Sequence, residues 1–138
     1  PKTIGPNGPK EDSTRLLSGY DSSRPFVGFD KKVARSGTMV IFNIESTAFA
    51  GPWGVSYAAN LTPHKSGIGG WDLKRFAKAM KEGKWRGLNT TRPLLPPMPW
   101  QNYRQIADED LKAIFNYLQS ITPVDNPVPV PVIDNTQE

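Results

Sequence analysis

"DEDLKAIFNYLQSI", residues 108–121, decides how the rest of the chain is read. Leu111, Ile114, Phe115, Leu118 and Ile121 recur at the spacing of one helical face, so the stretch predicts an amphipathic helix. Asp108 is a suitable N-cap, and Glu109 and Asp110 set negative charge against the positive end of the helix dipole. Pro123 prevents continuation. A second stretch of the same kind, "WDLKRFAKAMKEG", predicts a helix over roughly 72–82, ended by Gly83. Leu73, Phe76, Ala77 and Met80 line its apolar face, which makes Met80 a core residue. With these two helices the expected fold class is mainly α, with long ordered loops. At most one small β-hairpin is expected, around "TMVIFNI", 38–44, whose make-up is that of a strand.

The remaining segments read as loops. "IGPNGPKEDST" is a turn-rich opening, and "TRLLSGY" fits a single helical turn ended by Gly19. "AGPWGVSYAANLTPHKSGIGGW" reads as a long ordered loop with aromatics at Trp53, Tyr57 and Trp71. "PVDNPVPVPVIDNTQE" has the make-up of an extended, polyproline-type segment lying on the surface or on a partner. The organisation expected is therefore one domain over 1–122 and a Pro-rich tail over 123–138.

Composition excludes several functions. The 17 Lys and Arg against 13 Asp and Glu give a net charge of +4, but no dense basic run marks a nucleic-acid interface. No apolar stretch approaches the ~20 residues of a membrane-spanning helix. The chain has no cysteine, so disulfides, thiolate metal sites and thiol catalysis are absent from it. Its one histidine, His64, has no Ser–Asp pairing that reads as a triad, and it fits an exposed loop residue. "GIGG", 67–70, lacks the preceding strand and the lysine of a phosphate-binding loop and reads as a turn entering the helix. Asn60-Leu61-Thr62 and Asn89-Thr90-Thr91 match the glycosylation pattern, which matters only in a eukaryotic secretory protein. No enzymatic chemistry of its own is expected.

What is left is an excess of aromatic loop residues with no evident surface to cover. A large planar apolar cofactor would order them, and so would a second copy of the chain. "LLPPMPWQNY", 94–103, sharpens the question. Pro96, Pro97 and Pro99 fix their own φ and push their neighbours towards extended conformations, so Met98 has little freedom. Two readings stand on the residues alone. Met98 fills a gap in the core, an ordinary use of methionine; or its thioether faces a soft metal such as copper(I) or haem iron.

In order along the chain, "NLTPHKSGIGGW", "FAKAMKEGK", "RPLLPPMPWQNY" and "IADEDLKAIFNYLQSITPVDNPVP" resemble the bacterial class I c-type cytochromes. The likeness is greatest to the multi-haem or membrane-associated periplasmic subgroup, and it runs from about Trp53 to Pro129. The resemblance implies that Met98 is the axial ligand to haem iron, positioned by Pro97 and Pro99. It implies that Asn60, Trp71, Arg92, Trp100 and Tyr103 line the haem crevice or reach the propionates. It also implies haem c as cofactor, single-electron transfer to a redox protein partner, and a place in the periplasm or at the outer cell surface, with membrane association left open. The Pro-rich tail is a second surface for association.

One departure is severe. Covalent attachment in that family needs Cys-x-x-Cys-His, and this chain has neither cysteine, while His64 sits where the family has Asp. Because the chain opens on Pro1-Lys2 rather than Met, it is expected to be processed or truncated, with the attachment motif just before Pro1. The alternative is a haem-free cytochrome-fold interaction module that makes contact through "PVPVPV" and the aromatic loops.

Overall fold

The computed structural model describes residues 2–23 and 28–133. In chain order the elements are β1 (Lys2–Gly5), β2 (Gly8–Glu11), α1 (Lys31–Arg35), β3 (Ile41–Phe42), β4 (Ala48–Gly51), β5 (Gly54–Tyr57), α2 (Leu73–Glu82), α3 (Asp108–Ser120) and β6 (Val132–Ile133). Short 3₁₀ turns lie at Ser13–Arg15, Trp85–Gly87 and Trp100–Tyr103.

Both expected helices are present. Asp72 caps α2 by accepting the Arg75 amide at 2.7 Å, and Gly83 closes it in the left-handed region at φ 65°. The start of α3 differs from expectation: Ala107 is the N-cap, and Asp108 lies inside the first turn, where its carboxylate pairs with Lys81 of α2. Three acidic residues in that turn still oppose the dipole. Between the helices Ile68, Phe76, Leu111 and Leu118 form the core, with Trp71, Met80, Ile106, Phe115 and Ile121 packed around it. The Phe76 and Phe115 rings meet at 5.2 Å. Met80 is partly buried and packs against that core.

The expectation of a mainly α fold with at most a small hairpin is overturned. The described residues hold three α-helices of five, ten and thirteen residues, an antiparallel pair β1-β2, and a four-stranded antiparallel sheet ordered β3-β4-β5-β6. The physical reason lies in two turns of one pattern. Gly5-Pro6-Asn7-Gly8 and Gly51-Pro52-Trp53-Gly54 each join paired strands, Gly5 opposite Gly8 and Gly51 opposite Gly54. Proline in second place and glycine in fourth suit a tight turn, and Gly8 and Gly54 both stand at φ 103°, open to glycine alone without strain. Strands β4 and β5 carry Ala48, Ala50, Gly51, Gly54 and Ser56 where a strand signal would have Val and Ile, whereas β3 falls within the strand expected at 38–44. The order of β4 and β5 comes from turn and register, and the expected long loop at 50–71 gives its first residues, 50–57, to a hairpin.

In the larger sheet Phe42, Phe49 and Ser56 stand opposite one another, as do Ile41, Ala50, Val55 and Val132. Paired residues share a face. Ala34 of α1 is buried, and α1, capped by Asp30, packs on β4.

The tail is anchored and not merely extended. The Val124 amide donates to Thr62 Oγ1 at 3.0 Å, and its carbonyl accepts from Asn60 Nδ2 at 2.9 Å. Asn126 is buried and donates to the Ser18 and Tyr20 carbonyls, each at 2.7 Å. Val132 and Ile133 then add to the sheet as β6; residues 134–138 of the expected tail lie outside the described residues. Beside this junction, burial opposes ionisation of Asp21, but hydrogen bonds from Ser23 and the Arg15 guanidinium at 2.6 Å overcome it and hold the carboxyl below its ordinary range.

Candidate functional site

Beyond Gly83 the chain doubles back: the Trp85 amide bonds the Arg92 carbonyl at 3.0 Å, Lys84 pairs with Pro93, and the Leu94 amide bonds the Gly83 carbonyl at 2.7 Å. This return delivers residues 94–103 to the C-terminal end of α2. Gly83 is required there, because a Cβ would lie 2.2 Å from the Trp100 ring. The indole of Trp100 therefore lies directly on the helix stop.

Within the loop the Met98 amide turns back to the Leu95 carbonyl at 3.3 Å, and the Asn102 amide to that of Pro99 at 3.0 Å. The Pro96–Pro97 peptide is cis. Met98, Trp100 and Tyr103 are half-buried, while Pro97 and Pro99 are exposed. A thioether held in this way is an uncharged soft donor at a partly open position. The other methionines differ: Met80 packs on the core and Met39 is 54% exposed near the sheet edge.

Guanidinium groups cover the indoles. Arg92 lies 4.7 Å above the Trp85 ring, which Arg86 also approaches, at 4.9 Å. Arg104 lies 4.7 Å above Trp100, and Arg75 lies 4.6 Å above Trp71. Burial lowers the pKa of Arg92 from its ordinary value, and the side chain remains cationic at neutral pH. Arg92 bonds the Pro93 carbonyl at 2.8 Å, and its planar fork has the geometry for a carboxylate.

Of the residues singled out from sequence, Arg92, Pro97, Met98, Trp100 and Tyr103 all lie on this return, Arg92 against Trp85. Asn60 and Trp71 belong to the loop before α2. The Asn60 amide donates to the Val124 and Asn126 carbonyls and to Ser66, and its oxygen accepts from the Thr62 amide and hydroxyl. Trp71 packs against the core. His64 is half-buried and not freely exposed: its Nδ1 meets Ser66 Oγ at 2.8 Å and lies 3.4 Å from Asp125.

Sequence reasoning missed three residues of this region: Ser56, Trp85 and Asn126. Trp85 carried a usable signal, an indole between cations in "KWR". Ser56 and Asn126 carried none, since their partners lie far off in the chain. Among the described residues no three His, Asp or Glu side chains are placed to hold a metal. No described helix is long and apolar enough to cross a membrane.

No protein-family model matches the chain. It is 39% identical over 88 residues to a nicotinate dehydrogenase component of Pseudomonas putida, covering 63% of this chain and 7% of that protein. Against the fructose dehydrogenase cytochrome subunit of Gluconobacter japonicus it is 38% identical over 85 residues, 59% of this chain and 17% of the relative. Against the gluconate 2-dehydrogenase cytochrome c subunit of Pantoea cypripedii it is 36% identical over 90 residues, 60% and 20% respectively. The chain thus spans at most a fifth of the length of these relatives. Its homologues include cytochrome subunits of dehydrogenases, a kinship consistent with electron transfer.

Proposed function

We propose that this chain is the methionine-bearing part of a c-type cytochrome domain that passes single electrons to a redox protein partner, with Met98 as axial ligand. The observation that carries the reading is the loop itself, which holds one thioether between prolines at a half-buried position beside Trp100 and Tyr103. The kinship with cytochrome subunits of dehydrogenases supports it.

The residues present fit one side of such a group. Met98 offers the soft ligand, and Pro97 and Pro99 limit its movement. Trp100 and Tyr103 offer an apolar wall with polar tips, and Arg92 a half-buried cation for a propionate. Asn60 and Trp71 order the preceding loop. When bound, haem iron takes up and releases one electron between its ferric and ferrous states, and thioether ligation raises its potential. Covalent attachment has no source in a chain without cysteine, and the one histidine, His64, is engaged by Ser66 and Asp125; the reading requires the attachment and the second axial ligand from residues outside this sequence. A cytochrome subunit of a dehydrogenase in the periplasm or at the outer cell surface, soluble or membrane-associated, is the setting proposed.

The visible spectrum of the full-length protein tests this. Soret and α bands are expected, with a sulfur–iron charge-transfer band in the ferric form. Met98→Ala should remove that band and lower the reduction potential; an unchanged band and potential would sink the assignment. A protein without haem bands would instead favour an interaction module, for which exposed Phe42 of edge strand β3, with exposed Val40 and Ile44 flanking the strand, is the specific observation.

A further inference from the structure

The methionine loop has few ways to hold itself. Of residues 96 to 99 only Met98 has a backbone N–H, and that donor turns inward to Leu95. Proline fixes φ but leaves the loop free to move as a rigid piece about its ends. Its carbonyls must therefore be caught from elsewhere if the sulfur is to stay at one place.

One is caught by the sheet. Ser56 Oγ of β5 donates to the Pro96 carbonyl at 2.6 Å, across 40 residues of sequence. Ser56 is buried, 6% exposed, and stands opposite Phe49 of β4. Its hydroxyl also accepts from the Trp53 indole N–H at 3.2 Å. The Trp53 ring folds back over Gly51, where a Cβ would come within 2.3 Å of it. The hydroxyl is thus oriented from behind by a fixed donor and aimed at the loop. A chain of two part-buried hydrogen bonds polarises both members and narrows the positions each can adopt. The hairpin that sequence did not reveal ends on the carbonyl two residues before the sulfur.

We infer that Ser56 is a positioning residue for Met98, with Trp53 fixing its hydroxyl; this rests on the axial reading of Met98. The sheet half of the molecule thereby sets how firmly the thioether is presented. Loss of the hydroxyl would free the Pro96 carbonyl and let the loop swing, so that in the haem-loaded protein a competing base (hydroxide or a deprotonated lysine amine) would take the place of the sulfur at lower pH. A net hydrogen bond corresponds to about a fivefold change in that ligation equilibrium, or about 0.7 unit in the pH at which the charge-transfer band is half lost.

The test uses the full-length haem-loaded protein and follows that band by alkaline titration. Ser56→Ala should move the midpoint down by about that amount, Ser56→Thr should restore it, and Trp53→Phe, which keeps the ring and removes the N–H, should move it down by less. If Ser56→Ala folds poorly, Trp53→Phe and Ser56→Thr carry the test between them. Should Met98→Ala abolish the band while Ser56→Ala and Trp53→Phe titrate like wild type, the positioning role is overturned and the axial reading stands. A haem-loaded protein whose band survives Met98→Ala overturns both, because the loop then has no ligand to position.

Discussion

Asn126 shows how much one buried amide does. Its Nδ2 donates to the Ser18 and Tyr20 carbonyls, and its Oδ1 accepts from the Ser22 amide at 3.3 Å and hydroxyl at 3.0 Å. Every polar atom of the side chain is matched, at 1% exposure. Asn126→Ala leaves two buried carbonyls short of a donor and should cost roughly 2–4 kcal/mol in denaturant unfolding. Asn126→Asp keeps the shape but aims a carboxylate at those carbonyls. Its folded pKa is raised, because only the protonated acid can donate, so this variant should gain stability as pH falls through that value and lose it above. A variant whose unfolding midpoint is independent of pH would show that the carbonyls do not face the side chain. Met98 was legible in sequence because proline chemistry is local. Asn126 and Ser56 were not, because their partners stand 106 and 40 residues away.

At the scale of elements the same division holds. Both long helices were readable, since an apolar stripe at helical spacing states its own structure; α2 begins and ends where Asp72 and Gly83 place it. Of the sheet, β3 falls within the strand expected at 38–44, but β4 and β5 were not readable, since Ala48, Ala50, Gly51 and Ser56 offer no strand signal and gain their order only from turn and neighbour. The sheet's traces were the recurring Gly-Pro-x-Gly and the strand-like 38–44, within which β3 lies. Within α3 the apolar residues are not equal. Leu111 and Leu118 are buried, at 2% and 5% exposure, Phe115 is half-buried, and Ile114 and Tyr117 are exposed at 39% and 54%. Leu111→Ala should therefore cost about 2–5 kcal/mol, and Ile114→Ala about 1 kcal/mol or less. Equal losses at the two positions, measured by thermal unfolding, would mean that the outer face of α3 is covered as well.

The whole molecule is a helical half over residues 60–121 and a sheet half before it. Among the described residues they are joined by Ser56 to Pro96, by the Leu61 amide to the Leu17 carbonyl at 2.9 Å, and by the tail. The tail reaches furthest. It is held by Asn60 and Thr62 at Val124, grips 18–22 through Asn126, and joins the sheet beside β5 at Val132 and Ile133. Its Val-Pro alternation suits that course, for proline resists collapse into helix while the side chain of Asn126 does the gripping. Ending the chain at Pro123 removes the grip and one sheet edge but none of the four residues at the centre of the helical core. The expected result is uneven. Hydrogen exchange at β4 and β5 amides should quicken by at least about tenfold, equivalent to about 1.4 kcal/mol, while α2 and α3 keep their protection. Uniform loss in both halves would show one cooperative unit that the tail completes; unchanged protection in the sheet would show that the other two ties suffice, and the tail would then be free to serve a partner.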